Sequence, residues 1–370
     1  MEHLSTPTEE FLSSRGRVTT LGMFIIDHHA IKDQDGNEVM TEEESIGGGG
    51  VFAMISARMF LPPSQCGLII DQGEDFPDHF LNTLMRYGKD MIWFRKREGK
   101  TTRALNIYSG GKVGEGHQSF KYLSPQLNLL PRDLILPPSP FAEPYLPEYV
   151  HMVCNTLRAR LIVDEMEAIR LNGIGDDAIG KGWDAKLVWE PMPSCCVPSE
   201  LENILSLARA FHTISPNLLE LQSILDIPSS SHPTKGDAEE AVTSFHALLA
   251  GRYTHEGIPS AIVRCGELGS YTYSSQWVGW VPAYYTNDQQ DKVVDPTGGG
   301  NSFLGGLVAG LLISEGDMKI ASIYAATAAS FAIEQRGLPK LISTEQGERW
   351  NDQDVWERLR ELARRVDHPQ

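Results

Sequence analysis

Near the C-terminal end the chain reads Asp295-Pro296-Thr297-Gly298-Gly299-Gly300-Asn301-Ser302-Phe303 and passes directly into the small, apolar stretch from Leu304 to Ile313. Successive glycines at the start of a helix let the backbone turn sharply and come close to a ligand. The unpaired N–H groups of a first helical turn, together with the helix dipole, favour negative charge there. Phosphate is the natural guest of such a hole, although a Gly-rich turn before a buried helix carries the same letters. Asn217-x-x-Glu220 sets an amide and a carboxylate three residues apart, so both share one helical face and can point at one ion. A capping box has the same spacing. Asp27 closes the run Val18-Thr19-Thr20-Leu21-Gly22-Met23-Phe24-Ile25-Ile26-Asp27, which reads as one buried strand ending in an acid.

These groups are carried by 370 residues of 41% hydrophobic content, enough to bury a sizeable core in one large α/β domain or two domains. After a flexible arm over residues 1–17, the polar segment from Ala30 to Ser45, with Asp35-Gly36-Asn37 as its turn, predicts a pair of strands. Gly47-Gly48-Gly49-Gly50-Val51-Phe52-Ala53 then opens an apolar helical pattern that runs to Phe60. A strand at Leu68 to Gly73 and a helix from Phe76 to Tyr87 follow. Between Pro125 and Pro147 seven prolines predict a long surface loop. Strands resume at Leu161-Ile162-Val163 and Leu187-Val188-Trp189-Glu190-Pro191, then at Ile258 to Arg264. Helices are expected over Glu200–Ala210 and Ala321–Ile333, and the acidic tail over 346–370 reads as a solvated helix.

The net charge of −17, from 32 basic and 49 acidic residues, disfavours direct binding to nucleic acid or to an anionic membrane. The short basic stretch Arg95-Lys96-Arg97, with Lys100 and Arg103, reads as a solvated hairpin that could supply one cation to an anionic substrate. Cysteines 66, 154, 195, 196 and 265 have no metal-ligand spacing, so free thiols in a reducing compartment are expected. No apolar run approaches the roughly 20 residues of a membrane span. There is no GxxxxGK[ST], HExxH or GxSxG, and Gly111-x-x-Gly114-x-Gly116 lacks the strand-to-helix setting of a dinucleotide site.

The flank of the glycine cluster resembles the second signature of the PfkB, or ribokinase-like, family of carbohydrate and nucleoside kinases, Asp-Thr-x-Gly-Ala-Gly-Asp followed by a helix. Asp295, Thr297, Gly298 and Gly300 fall in register and Gly299 replaces the Ala. Asn301 stands where the family keeps the carboxylate that takes the proton from the substrate hydroxyl. The segment from Gly47 resembles the first signature, Gly-Gly-x-x-x-Asn, with Gly48 and Gly49 against the sugar. Phe52 stands in place of the Asn, which points to a more apolar or aromatic substrate. Asn217-x-x-Glu220 resembles the motif that positions Mg²⁺. Cys265-Gly266-Glu267-Leu268-Gly269 resembles the Gly-x-x-Gly turn beside the nucleotide, with Arg264 where many members carry Thr. The chain is similar to an atypical fungal branch of the family.

What the resemblance implies is a three-layer α/β sandwich over 18–345, with a central, mostly parallel sheet flanked by helices and a small β lid near 28–46 and 98–122. It also implies ATP and Mg²⁺ as cofactors, a small-molecule substrate and a homodimer through the lid, while the free thiols and the absence of an apolar span lead us to expect a cytoplasmic location. Gly298, Gly299 and Gly300 would form the anion hole; Asp27, Gly48, Gly49, Phe52 and Arg103 would face the substrate. Asp295, Thr297, Gly266, Gly269 and Arg264 would border the nucleotide, and Asn217 and Glu220 the metal. A neutral Asn301 cannot accept a proton. Two expectations therefore stand: an ATP-dependent phosphotransferase acting on a sugar-like or nucleoside-like alcohol, and a catalytically impaired scaffold that binds nucleotide or metabolite.

Overall fold

The computed structural model describes residues 4–32, 37–108, 118–254, 257–345 and 347–368. The strands in chain order are β1 (Val18–Thr20), β2 (Ile25–Lys32), β3 (Glu38–Gly47), β4 (Cys66–Gln72), β5 (Ile92–Lys96), β6 (Arg103–Tyr108), β7 (Gln118–Tyr122) and β8 (Tyr149–Cys154). They continue with β9 (Lys186–Pro191), β10 (Thr213–Ile214), β11 (Ser260–Arg264), β12 (Ser270–Tyr273), β13 (Val278–Val281), β14 (Leu341–Thr344) and β15 (Gly347–Trp350). The helices are α1 (Glu9–Ser13), α2 (Gly49–Ala57), α3 (Asp78–Met85), α4 (Pro131–Ile135), α5 (Thr156–Asn172), α6 (Leu201–Leu207), α7 (Leu218–Ile224), α8 (Lys235–Arg252), α9 (Gly299–Ile313), α10 (Met318–Ala332) and α11 (Val355–Asp367).

Among the described residues a nine-stranded sheet runs β13-β12-β11-β10-β9-β8-β1-β4-β5. It is parallel from β11 to β5, with β12 and β13 added antiparallel at one edge. The strands are apolar almost without interruption because both faces are covered. In β4, Cys66, Leu68 and Ile70 enter the core beneath α2, α9, α10 and α11, whereas Ile69 enters the core beneath α5 to α8. Strands β9 and β11 divide the same way, with Val188 and Ile262 on the first face and Trp189 and Val263 on the second. Helix α9 lies in the middle of the first layer and is buried almost all round. A Cβ on its Gly305 would overlap the Ala53 carbonyl of α2, and one on Gly310 would come within 2.7 Å of the Ala321 Cα of α10.

The predicted lid is a second, four-stranded sheet, β3-β2-β6-β7. Its assembly corrects the expectation of a single strand from Val18 to Asp27: the run breaks after Thr20, and Ile25 resumes in the other sheet. Gly22 marks the break, packed so closely on Gly50 that a Cβ there would lie 2.6 Å from the Gly50 nitrogen. Asp27 is thus an interior residue of a lid strand, paired with Ser45 and Ala104, rather than a strand-end acid. The Asp35–Gly36 turn and the Gly111–Gly116 pattern lie outside the described residues.

Further expectations are revised. Leu161-Ile162-Val163 lies inside α5, whose N-cap Asn155 accepts from the Arg158 N–H at 3.0 Å; the strand of that unit is β8. Ala159, Ile162, Met166 and Ile169 form the buried stripe at helical spacing, a period that a three-residue apolar run does not reveal. Ile162→Ala is expected to cost about 2–5 kcal/mol, whereas Leu161→Ala, at a side chain 54% exposed, should change stability by less than about 0.5 kcal/mol. Chemical denaturation of the two variants measures this, and equal costs would contradict the helix. The tail is not merely solvated: α11 buries Val355, Leu359 and Leu362, and its Trp356 ring meets Phe60 edge-on at 5.7 Å. Residues 9–13 of the N-terminal arm form α1, whose Leu12 joins the same core.

Candidate active site

The glycine cluster begins α9 beside Glu190 and Arg264, at the carboxyl ends of β9 and β11, the side of an open α/β sheet where ligands dock. Gly298 is the N-cap with φ 78°, a left-handed conformation that glycine takes without strain, and no side chain caps the turn. Asp295 accepts the Thr297 N–H at 2.9 Å, and the Ile333 carbonyl receives the N–H groups of Val294 and Asp295 at 2.8 and 3.1 Å. The loop is thereby tied to the end of α10. Phe52, 5% exposed, sets its ring beneath Gly298, where a Cβ would stand 2.5 Å from it. Its surface is thus spent on supporting the phosphate-type turn. The Gly299 N–H is donated to the Pro296 carbonyl at 3.0 Å, which leaves the N–H groups of Gly300 and Asn301 in the first helical turn as the donors available to an anion.

The first glycine segment reaches the same place. A Cβ on Gly47 would overlap the Asp27 carboxylate, and one on Gly49 would overlap the Asn301 carboxamide. Gly48 between them, at φ 96°, lies against the Met23 carbonyl. Asp27 and Asn301 therefore flank one three-residue segment, although they are far apart in sequence. Burial raises the Asp27 carboxyl to about 7, against a hydrogen bond from Asn106 that lowers it. Its Oδ1 and the Asn301 Oδ1 are buried and, among the described residues, have no hydrogen-bond partner. Tyr108 and His29 of the lid sheet approach Thr297 and Asp295. Arg103 is committed to Asp75 at 2.8 Å and stands 3.7 Å from Glu44.

Residues 191–344 match the model of the pfkB family carbohydrate kinases. Protein MAK32 of Saccharomyces cerevisiae is 29% identical over 347 residues, which cover 90% of this chain and 88% of that protein. Ribokinase from Giardia lamblia superposes with a TM-score of 0.63 at 18% identity, covering 88% of this chain and 94% of that one. Ribokinase from Cryptococcus neoformans var. grubii serotype A, in complex with ADP, does so with a TM-score of 0.57 at 16% identity over 95% of this chain and 100% of that one. The fold is ribokinase-like, and residues 191–344 are PfkB-type sequence.

In this ribokinase-like chain the remaining candidates gather beside α9. Asn217 caps α7, its side chain accepting the Glu220 N–H at 2.8 Å while Glu220 accepts the Asn217 N–H at 2.7 Å. This is the reciprocal capping box. Arg264, the last residue of β11, donates to Glu190 at 2.7 Å and to the Ser215 carbonyl at 3.1 Å, and its second terminal nitrogen stands 3.5 Å from Glu220. A Cβ on Gly300 would overlap the Arg264 guanidinium. Beyond Arg264 the chain turns through Gly266 and Gly269, at φ 55° and 98°, with the Cys265 N–H donating to the Gly269 carbonyl at 2.7 Å.

Glu190 and His151 were not singled out from sequence. Glu190 ends the apolar run of β9 and His151 sits inside β8, so an acid closing a buried strand was the available signal. Burial would raise the Glu190 carboxyl, but Arg264 and His151 outweigh it and hold the group below the usual carboxylate range. His151 Nδ1 lies 3.0 Å from the Thr20 hydroxyl, which already accepts the Gly22 N–H at 2.9 Å. The other ring nitrogen of His151, Nε2, stands 3.8 Å from Glu190. Asn217 and Glu220, engaged with each other and with Arg264, do not fit an open metal-binding pair, and among the described residues no group of three His, Cys, Asp or Glu could hold a metal ion.

Proposed function

We propose that the chain is an ATP-dependent phosphotransferase acting on an alcohol group of a sugar-like or nucleoside-like small molecule. The observation that carries this reading is the convergence of both glycine segments on the uncapped N-terminus of α9, with Asp27 and Asn301 at the two ends of the Gly47–Gly49 stretch. Phosphoryl transfer is mostly positioning and charge stabilisation. The terminal phosphoryl group would lie on the N–H groups of Gly300 and Asn301, the Gly299 N–H being donated to the Pro296 carbonyl at 3.0 Å. The acceptor hydroxyl would lie between that group and Asp27. Asn301 can orient this hydroxyl without taking its proton, and Asp27, raised to about 7, is the carboxylate suited to accept it. Asp295 and Thr297 shape the loop, and Gly48 and Gly49 bring the backbone close to the acceptor. The lid sheet would shed water from the reacting atoms and supply a homodimer contact.

One observation favours a second reading, a scaffold that binds nucleotide without turnover: the position beside Gly49 is held by a neutral amide. A screen of sugars, nucleosides and related alcohols for ADP release separates the two. As an enzyme, the wild type is expected to turn over at least one compound, Gly299→Asp to abolish this by placing like charge in the anion hole, and Asn301→Asp to increase it by less than about 10²-fold. A silent wild type beside an active Asn301→Asp variant would establish the scaffold instead.

A further inference from the structure

At the start of α9 a cation stands where the helix dipole disfavours one. The macrodipole places about half a positive charge at a helix N-terminus, yet the Arg264 guanidinium lies directly against Gly300 in the first turn. It is held there by Glu190 at 2.7 Å, the Ser215 carbonyl at 3.1 Å and Glu220 at 3.5 Å, with its side chain 12% exposed. The two carboxylates and the Ser215 carbonyl stabilise the cation against the dipole. An anion seated on the same N–H groups would complete the arrangement, because it would meet the backbone on one side and the guanidinium on the other. Arginine suits that task through its fixed planar set of donors. The carboxylate that would otherwise attract a divalent ion, Glu220, is turned to Asn217 and Arg264.

Resting on the phosphotransferase reading, we propose that Arg264 is the resident cation of this site. It takes the place of a divalent metal ion at the phosphates of the bound nucleotide, so that nucleotide binding does not require Mg²⁺. Glu190 and Glu220 act as positioning residues that hold the guanidinium against the helix dipole, and His151 braces Glu190 from behind.

The test is calorimetric titration of the full-length protein with ATP in excess EDTA and, separately, with saturating MgCl₂. Wild type is expected to bind both forms with Kd values within about threefold of each other. Arg264→Gln should weaken metal-free ATP by about ten- to a hundredfold, the worth of a charge-assisted pair, and Arg264→Lys should retain most of the affinity. Because Arg264→Gln leaves Glu190 buried without its partner, the double variant Arg264→Gln/Glu190→Gln keeps the comparison usable if the single one does not fold. Arg264→Thr should acquire a Mg²⁺ dependence, since it leaves Glu190 and Glu220 without a cation. Binding of Mg·ATP alone by wild type would overturn the proposal and leave the phosphotransferase reading standing. Unchanged or tighter metal-free binding by Arg264→Gln would overturn it too, showing a bystander or a plug. Binding of neither form would bring down both.

Discussion

Asp27→Asn is expected to slow phosphoryl transfer by about 10²- to 10⁴-fold, the usual worth of a general base, and at the same time to make the protein more stable at alkaline pH. Both effects come from burial. The carboxyl lies against Gly47 at 7% exposure and is raised from 3.8 to about 7. A base must be ionised to act, so wild-type kcat/KM should rise with pH through about 7 and level off above it. For stability the sign is the reverse. The folded state holds this proton more tightly than the unfolded chain does, so the stabilisation is complete below pH 4 and is lost as pH rises through about 7. Asparagine mimics the protonated form at every pH. Thermal melts of the two proteins should nearly coincide at pH 4 and diverge by pH 8, by up to on the order of 4 kcal/mol. A variant that is less stable than wild type at pH 8, or a pH–rate profile flat between 5 and 9, would remove Asp27 from the mechanism.

Gly305→Ala should be strongly destabilising although it adds a single methyl group. The added Cβ would overlap the Ala53 carbonyl of α2, a backbone atom that cannot rotate away. Overpacking a core costs about 1–3 kcal/mol where side chains can adjust, and more where they cannot. Here α9 is fixed on its other side by α10, where Cβ atoms on Gly306 and Gly310 would come within 2.5 and 2.7 Å of Tyr324 and Ala321. The helix would have to tilt, carrying Gly299 and Gly300 with it, so loss of ATP affinity should accompany the loss in melting temperature. Gly251→Ala in α8 is the control: a Cβ there meets nothing within 4 Å, and the substitution should stabilise by about 0.5–1 kcal/mol. If both variants melt like wild type, the α2–α9 contact is not as close as the structure has it.

The degree to which the fold could be read ahead followed the length over which each pattern acts. The helix after Gly298 was legible because glycine, asparagine and a long apolar run are local signals. So were β4, β9 and β11, whose apolar residues are continuous because both faces are covered. The break in the first strand was not, since Met23, Phe24 and Ile25 continue the apolar run while the backbone crosses from one sheet to the other. Likewise Leu161-Ile162-Val163 has strand composition and helical surroundings, and the cap at Asn155 decides the matter. Asn217-x-x-Glu220 allowed an ion pair of ligands or a capping box, and the reciprocal hydrogen bonds form the box.

By itself the sequence determined that a glycine turn opens a buried helix, that a second glycine segment precedes it in the chain, and that acids stand near both. These are consequences of backbone freedom and of hydrophobic period, which neighbouring residues set among themselves. Only the tertiary structure decided which charges meet. Arg264 joins Glu190 across 74 residues because β10 alone separates β9 from β11 in the sheet, and Asp27 reaches Gly47 because β2 pairs with β3 in the lid. Strand order and helix packing bring such groups within a few ångströms, and no pattern confined to a short window carries that information.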